Sequence, residues 1–212
     1  APEAQFIFLS ATVGNPGALA KQLNAALVEY EVRPVPIERH LIFSSGKEKR
    51  TLLRQLVAQA EKLTSSTGYR GQTIIFTNSR KNCYNLAQAI PGAAAYHAGL
   101  QYPERKRIEE LFGQGKISTV VTTAALAAGV DFPASQVVFE SLAMGINWLN
   151  VHEFNQMLTA QVTGTSNSIV RERYLTVSVV KRNADEARSY FARVGTDLVT
   201  HLAQLSSVAN EL

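Results

Sequence analysis

Apolar positions along this chain recur with two periods, and the switches between them mark out its elements. From Lys47 to Leu63 the apolar residues Leu52, Leu53, Leu56, Val57, Ala60 and Leu63 return every three or four positions, which predicts an amphipathic helix. Thr73 to Thr77 and Thr119 to Thr123 are short β-branched or aliphatic runs, read as strands buried on both faces. Phe6 to Leu9, Ala93 to His97 and Gln136 to Glu140 are read as strands too, and Arg80–Ile90, Pro103–Phe112 and His152–Leu158 as helices. Asn15-Pro16 is a helix start, Asn at the cap and Pro in the first turn, for a helix to about Leu27 with Leu19, Leu23 and Leu27 on one face. Residues 31–43 carry two prolines and read as a linker that becomes an edge strand. Near the end, Val162 to Ser168 is a polar loop and Arg173 to Val180 a strand. Asn183 caps a long helix with Asp185 and Glu186 in its first turn and Ala187, Phe191, Val194, Leu198, Leu202 and Leu205 as its stripe. Strands alternating with helices of ten or more residues predict an α/β fold, a mainly parallel sheet with helices on both faces.

Composition narrows this picture only slightly. The chain has 212 residues, 46% hydrophobic and 18% charged, in the range of a soluble globular protein. No apolar run approaches the roughly 18 residues of a membrane span. The N-terminus has neither the basic start nor the cleavage site of a signal peptide. It starts a few residues before an apolar run, as a cut fragment would. Cys83 is the single cysteine, which excludes an intrachain disulfide and a zinc cluster and fits a cytoplasmic setting. A net charge of +4 permits a phosphate-backbone partner without demanding one.

Candidate chemistry gathers at strand ends. Ile117 to Ala134 runs from a β-branched strand through Ala124-Ala125 and Ala127-Ala128 to Gly129, then Val130-Asp131-Phe132-Pro133. In an open α/β sheet, the crevice at the carboxyl ends of the strands is where ligands bind. Thr122 and Thr123 would offer hydroxyls there and Asp131 a carboxylate; an ordinary strand-to-helix turn is the other reading. Thr77, Asn78, Ser79 and Arg80 stand at another strand end, where hydroxyls and a guanidinium meet a phosphate, or where a cap and a solvated Arg simply start a helix. His97 lies at the end of a third strand, as a polar loop residue rather than a general base. Arg105, Lys106 and Arg107 form either a phosphate rail or a solvated face. Trp148, Phe154 and Cys83 read as core.

VVTTAALAAGVDFPA resembles motif V of superfamily-2 helicases, in the Ski-type and archaeal repair-helicase branch. Ser10-Ala11-Thr12 resembles motif III and IIFTNSR motif IV. YHAGL, with Glu104-Arg105 after it, resembles the segment between motifs IV and V. The four occur in the family's order over about residues 5–158. The resemblance implies a RecA-like three-layer domain and a division of the chain: residues 1–30 the trailing end of a first motor domain, 31–158 the second. It implies backbone contacts to single-stranded DNA or RNA by Thr77, Asn78, Ser79, Arg80, His97, Arg105, Thr122 and Thr123. It puts Gly129, Asp131 and Gln156 in a nucleotide cleft, and Ser10, Ala11 and Thr12 in coupling between the domains. ATP and Mg would bind only with a complete first domain, the missing partner; no membrane partner is implied.

Two departures limit what the chain does alone. No GxxxxGK[ST] phosphate loop occurs: Gly46-Lys47 is followed by Glu48, and Leu41 stands where the first Gly belongs. No DExH-like box occurs either. Motif VI would run from Gln156-Met157 into Gly-Arg-Ala-Gly-Arg, but the chain reads QMLTAQVTGTSNS, and a neutral Thr or Gln does not neutralise a developing phosphate charge. Activity alone is therefore not expected, and no catalytic or metal-binding residue is assigned. From about Thr159 the chain resembles the N-terminal region of a VirB-type conjugation ATPase, so that 159–212 reads as a foreign strand–helix tail completing the sheet. A divergent motif VI, a folded non-catalytic chimera or scaffold, and a conjugation-related assembly module are the alternatives.

Overall fold

The computed structural model describes residues 5–9, 15–29, 37–44, 48–64, 68, 70–124, 132, 134–144, 147–149, 153–154, 157, 174–180 and 199–202. In chain order the elements are α1 (Pro16–Gln22), β1 (Ile37–Phe43), α2 (Lys49–Ala60), β2 (Thr73–Phe76), α3 (Arg80–Ala89), β3 (Ala93–Tyr96), α4 (Tyr102–Gly113), β4 (Thr119–Thr122), β5 (Gln136–Phe139), the short pair β6 (Ala143–Met144) and β7 (Asn147–Trp148), then β8 (Tyr174–Val180) and β9 (Val199–Leu202). Seven strands form one sheet in the order β3-β4-β2-β5-β8-β1-β9. Every pairing in it is parallel, while β6 and β7 pair antiparallel on their own.

A parallel sheet covered on both faces needs strands apolar on both sides. β2, β4 and β5 meet that need, and every residue of the three is buried. Alternation divides them between two cores. Ile74, Phe76, Val120, Val137 and Phe139 point to the layer that holds Phe112 of α4, Phe132, Phe154 and Met157. Ile75, Val121 and Val138 point to the opposite layer, with Leu52, Leu53, Leu56 and Val57 of α2 and Cys83 and Leu86 of α3. The result is the three-layer α/β arrangement. Each fully buried side chain of this kind stabilises the fold by ~1.5–3 kcal/mol, so the two stripes hold α2 and α3 down. Leu63, the last apolar residue of the predicted α2 stripe, lies beyond the helix and is exposed.

Four expectations change. Residues 5–9 form no strand, and Phe6, Ile7, Phe8 and Leu9 are 61–91% exposed: an apolar run becomes a strand only beside a partner, and none pairs with it among the described residues. α1 starts as expected, with the Asn15 side chain accepting from the Ala18 N–H at 3.0 Å, but ends at Gln22. Asn24 then takes a positive φ of 49°, which breaks the helical path before Leu27. β1 is not an edge strand; β8 and β9 flank it. Val199 to Leu202, expected in the last helix, are strand β9, paired with His40 to Phe43. The i, i+4 spacing of Leu198 and Leu202 suits a helix, but β-branched Val199 and Thr200 suit a strand, and an available sheet neighbour decides. The rest of that expected helix and the 162–168 loop lie outside the described residues.

Candidate nucleic-acid interface

Parallel pairing in register brings four strands to an end at one level. Tyr96 and Phe76 both pair with Thr122, and Phe76 also pairs with Phe139. The next residues therefore stand in a row across the carboxyl rim of the sheet: His97, Thr123, Thr77, Glu140. The row is sewn by backbone bonds, Thr77 N–H to the Thr122 carbonyl and Glu140 N–H to the Phe76 carbonyl, both 2.8 Å.

After Thr77 the chain turns directly into α3. Ser79 is its N-cap, extended in backbone, and its hydroxyl accepts from the Asn82 N–H at 3.2 Å. The Asn78 side-chain carbonyl accepts from the Asn82 amide at 2.9 Å, which fixes the turn from outside. Asn78, Ser79 and Arg80 are exposed. The first turn of α3 contains Arg80 and Lys81 and no acidic residue. Cations at a helix N-terminus oppose the helix dipole, and an anion there is favoured by both.

The threonines behave differently. Thr77 and Thr122 are fully buried. The Thr77 hydroxyl donates to Glu140 Oε2 at 2.7 Å, and the Thr122 hydroxyl donates to the Thr123 carbonyl at 3.2 Å. Both are spoken for inside the fold, whereas Thr123 at the end of β4 is half-buried.

His97 is buried, its ring edge-on to Tyr84 with centroids 5.1 Å apart. Nδ1 accepts from the Gly99 N–H at 3.2 Å, which makes Nε2 the protonated nitrogen of the neutral ring. Burial, and then the Arg80 charge, hold its pKa below the ordinary 6.5, with Glu104 opposing. A neutral, buried imidazole is no general base for solvent-borne chemistry. Arg105 is half-buried over β3, beside a clamp in which the Tyr96 hydroxyl donates to Glu109 at 2.7 Å; burial, then that bond, raises the Tyr96 phenol to about 12. Lys106 and Arg107 are exposed, and Lys106 lies 3.6 Å from Glu109.

Beside the rim the structure adds a group that the residue patterns did not single out. Lys49 Nζ lies 2.7 Å from Glu140 Oε1, with both side chains only 12–13% exposed. With Thr77 on the other oxygen, Glu140 ties β2, β5 and the start of α2 together. A pocket there is lined by Lys49, Arg50, Asn82, Asn85 and Glu140. The available signal was a lone carboxylate straight after an apolar strand, Gln136 to Phe139. Cys83 packs behind this group as core; burial above all, with Glu140 adding, pushes its thiol up to about 11. Phe154 is core as well, its ring tilted against Phe139 with centroids 4.5 Å apart. Ser10, Ala11, Thr12, Gly129, Asp131 and Gln156 lie outside the described residues, as does the Trp148 side chain. Among the described residues no three His, Cys, Asp or Glu side chains are grouped to hold a metal, and no helix is long and apolar enough to cross a membrane.

Comparison with known proteins bears on the family and the fold. The helicase conserved C-terminal domain family matches residues 48–159. A probable ATP-dependent helicase of Methanocaldococcus jannaschii is 54% identical over 73% of this chain and 20% of its own length. The ATP-dependent DNA helicase Hel308 of Thermoplasma volcanium is 30% identical over 74% of this chain and 28% of its own. The chain thus spans between a fifth and three tenths of these relatives. In fold it is similar to S. cerevisiae Dbp5 bound to RNA and ADP BeF3, with a TM-score of 0.69 at 19% identity over 91% of this chain and 50% of that one.

Proposed function

The chain belongs to the helicase conserved C-terminal domain family, and we propose that it is the second RecA-like motor domain of a superfamily-2, Ski-type helicase of the repair class. In this reading it grips the backbone of a single strand of DNA or RNA along the carboxyl rim of its sheet. The observation that carries it is the start of α3, where exposed Arg80 and Lys81 stand with Asn78 and Ser79 at a helix N-terminus whose first turn has no acidic residue. Thr123 lies farther along the same rim, and buried Thr77, Thr122 and His97 shape it. Arg105, Lys106 and Arg107 would extend the positive surface along α4.

ATP and Mg enter this reading only with a complete first motor domain. The chain's own sequence has no phosphate loop, no DExH-like box and no arginine in its QMLTAQVTGTSNS stretch, so its residues do not fit a whole nucleotide site. Gly129, Asp131 and Gln156 would form one wall of a cleft, and Ser10, Ala11 and Thr12 would couple the two domains. The 212-residue chain is expected to release phosphate from ATP at background rate with saturating single-stranded DNA. Turnover in the usual enzyme range of about 1–10³ per second would overturn this part.

Binding is tested by titrating a labelled single strand at low and moderate salt. Few phosphate contacts imply micromolar or weaker affinity, with a salt slope of about −0.7 for each phosphate neutralised on a single strand. Arg80→Ala is expected to weaken binding and flatten the slope by one such contact; salt-independent binding, or an unchanged variant, removes the reading.

A second reading concerns the tail. A join near residue 159 between a helicase domain and a segment similar to a conjugation ATPase rests on the wording of the tail's own sequence, and the alignment of a helicase relative over 98% of the chain weighs against it. Sequencing the surrounding gene tests it: an uninterrupted helicase reading frame through the join, with related helicases carrying the same tail, removes the chimera.

A further inference from the structure

We infer that the His97–Gly99 turn is a positioning element, which holds the Arg80 guanidinium in place over the rim through a space that only glycine leaves open. The inference rests on the rim's reading as a phosphate-binding edge, but its geometry stands apart from that reading. A Cβ at position 99 would lie 3.0 Å from Arg80 Nη1, 3.3 Å from its Cζ and 3.2 Å from His97 Nδ1. Contacts that short are tighter than side chains ordinarily make, so the end of Arg80 or the His97 ring would have to give by a few tenths of an ångström. Gly99 has no positive φ to account for its being glycine, unlike Gly92 and Gly115. The closeness to Arg80 and His97 is what the position requires.

The turn is itself fixed. The Gly99 N–H donates to His97 Nδ1, and the His97 ring is buried against Tyr84. Tyr84 is four residues after Arg80, so the two share one face of α3. A single helix face thus supplies both the guanidinium and the ring that seats the histidine beneath it. Charge follows the same plan. The groups bearing on His97 are Arg80 from α3 and Glu104 from α4, with the Tyr84 ring against it. A neutral imidazole accepts the Gly99 N–H and adds no cation beside Arg80. A protonated one would turn Nδ1 into a donor facing a donor.

The test is a double-variant cycle on the full 212-residue chain, with two readouts: the His97 titration followed by NMR, and the affinity for a labelled oligothymidylate single strand. Gly99→Ala is expected to unfold as cooperatively as the parent chain. It should move the His97 titration upward, in the direction of Arg80→Ala but by less, because it displaces the guanidinium where Arg80→Ala removes it, and the double variant should move it no further than Arg80→Ala. Affinity should fall roughly tenfold in Arg80→Ala, the scale of one charge-assisted contact, by less in Gly99→Ala, and no further in the double. An unshifted His97 titration in Gly99→Ala overturns the inference. If Arg80→Ala binds like the parent, the phosphate-binding reading falls while the titration still decides the positioning. Should Gly99→Ala not fold, His97→Asn and His97→Leu decide. Asn keeps an acceptor for the Gly99 N–H and should retain the affinity that Leu loses; equal loss in both overturns the inference.

Discussion

At the scale of single residues, His97 has a measurable signature in stability. Its folded pKa lies below its ordinary 6.5, so the unfolded chain takes up the proton first as pH falls. The stability from a neutral His97 is fully present above about pH 6.5 and is lost as pH drops from there toward the folded value. Urea midpoints measured between about pH 7.5 and 5.5 should fall with pH in the parent chain and fall less in His97→Gln. An identical slope in both would show that the histidine titrates freely. The residue was visible in the sequence as one of the YHAGL run; its partners were not. Nothing in spacing places Tyr84 against its ring or the end of Arg80 beside Gly99. The motif IV turn was legible in more detail, because capping chemistry is local: Ser79 bonds three residues ahead. The Thr77 hydroxyl bonds to a carboxylate 63 residues away, so a side chain that reads as a rim donor is in fact a brace.

Between elements, the brace itself makes a prediction. Glu140 holds Lys49 and Thr77 at once, each at 2.7 Å, and so connects the start of α2 to the ends of β2 and β5. Glu140→Gln leaves an acceptor for Thr77 but strands the Lys49 charge in a site 12% exposed. Removing one partner of a largely buried pair costs about 3 kcal/mol, much of it from the charge left behind. Denaturant unfolding should show that loss in Glu140→Gln and recover a large part of it in the double variant with Lys49→Met. Equal stability of Glu140→Gln and the parent would reduce the pair to a surface contact. Elements with a strong local period, such as α2 and the core strands β2, β4 and β5, were readable from the chain alone. The strand expected at Phe6 to Leu9 failed because extended structure is a property of pairs. β9 was missed for the converse reason: its neighbour β1 lies more than a hundred residues earlier in the chain.

At the level of the whole molecule, β8 is the strand on which the sheet's continuity depends. It is hydrogen-bonded to β5 on one side and β1 on the other, whereas among the described residues β9 pairs only with β1. Amide exchange should therefore be slow from Leu175 to Val179 and faster from Val199 to Leu202, where one edge is free. Comparable rapid exchange at both strands would mean that β8 is not locked into the sheet. The order of strands was the least legible level, since a period of two says that a strand exists but not beside which other strand it lies.

The position of β8 also sets a timetable for the chain's synthesis. β1 leaves the ribosome early, but its register partner for Ile37 is Tyr174. Until that residue emerges, β1 has no neighbour in the sheet, and β5 ends the growing sheet with an unsatisfied edge. Once β5 is made, its outer edge and the β1 edge that faces it stay open together until one later segment closes both. Strand edges of that kind invite pairing with other chains. A pause or truncation between residues 140 and 174 would leave both open together, so the fold's exposure to aggregation is concentrated in that interval.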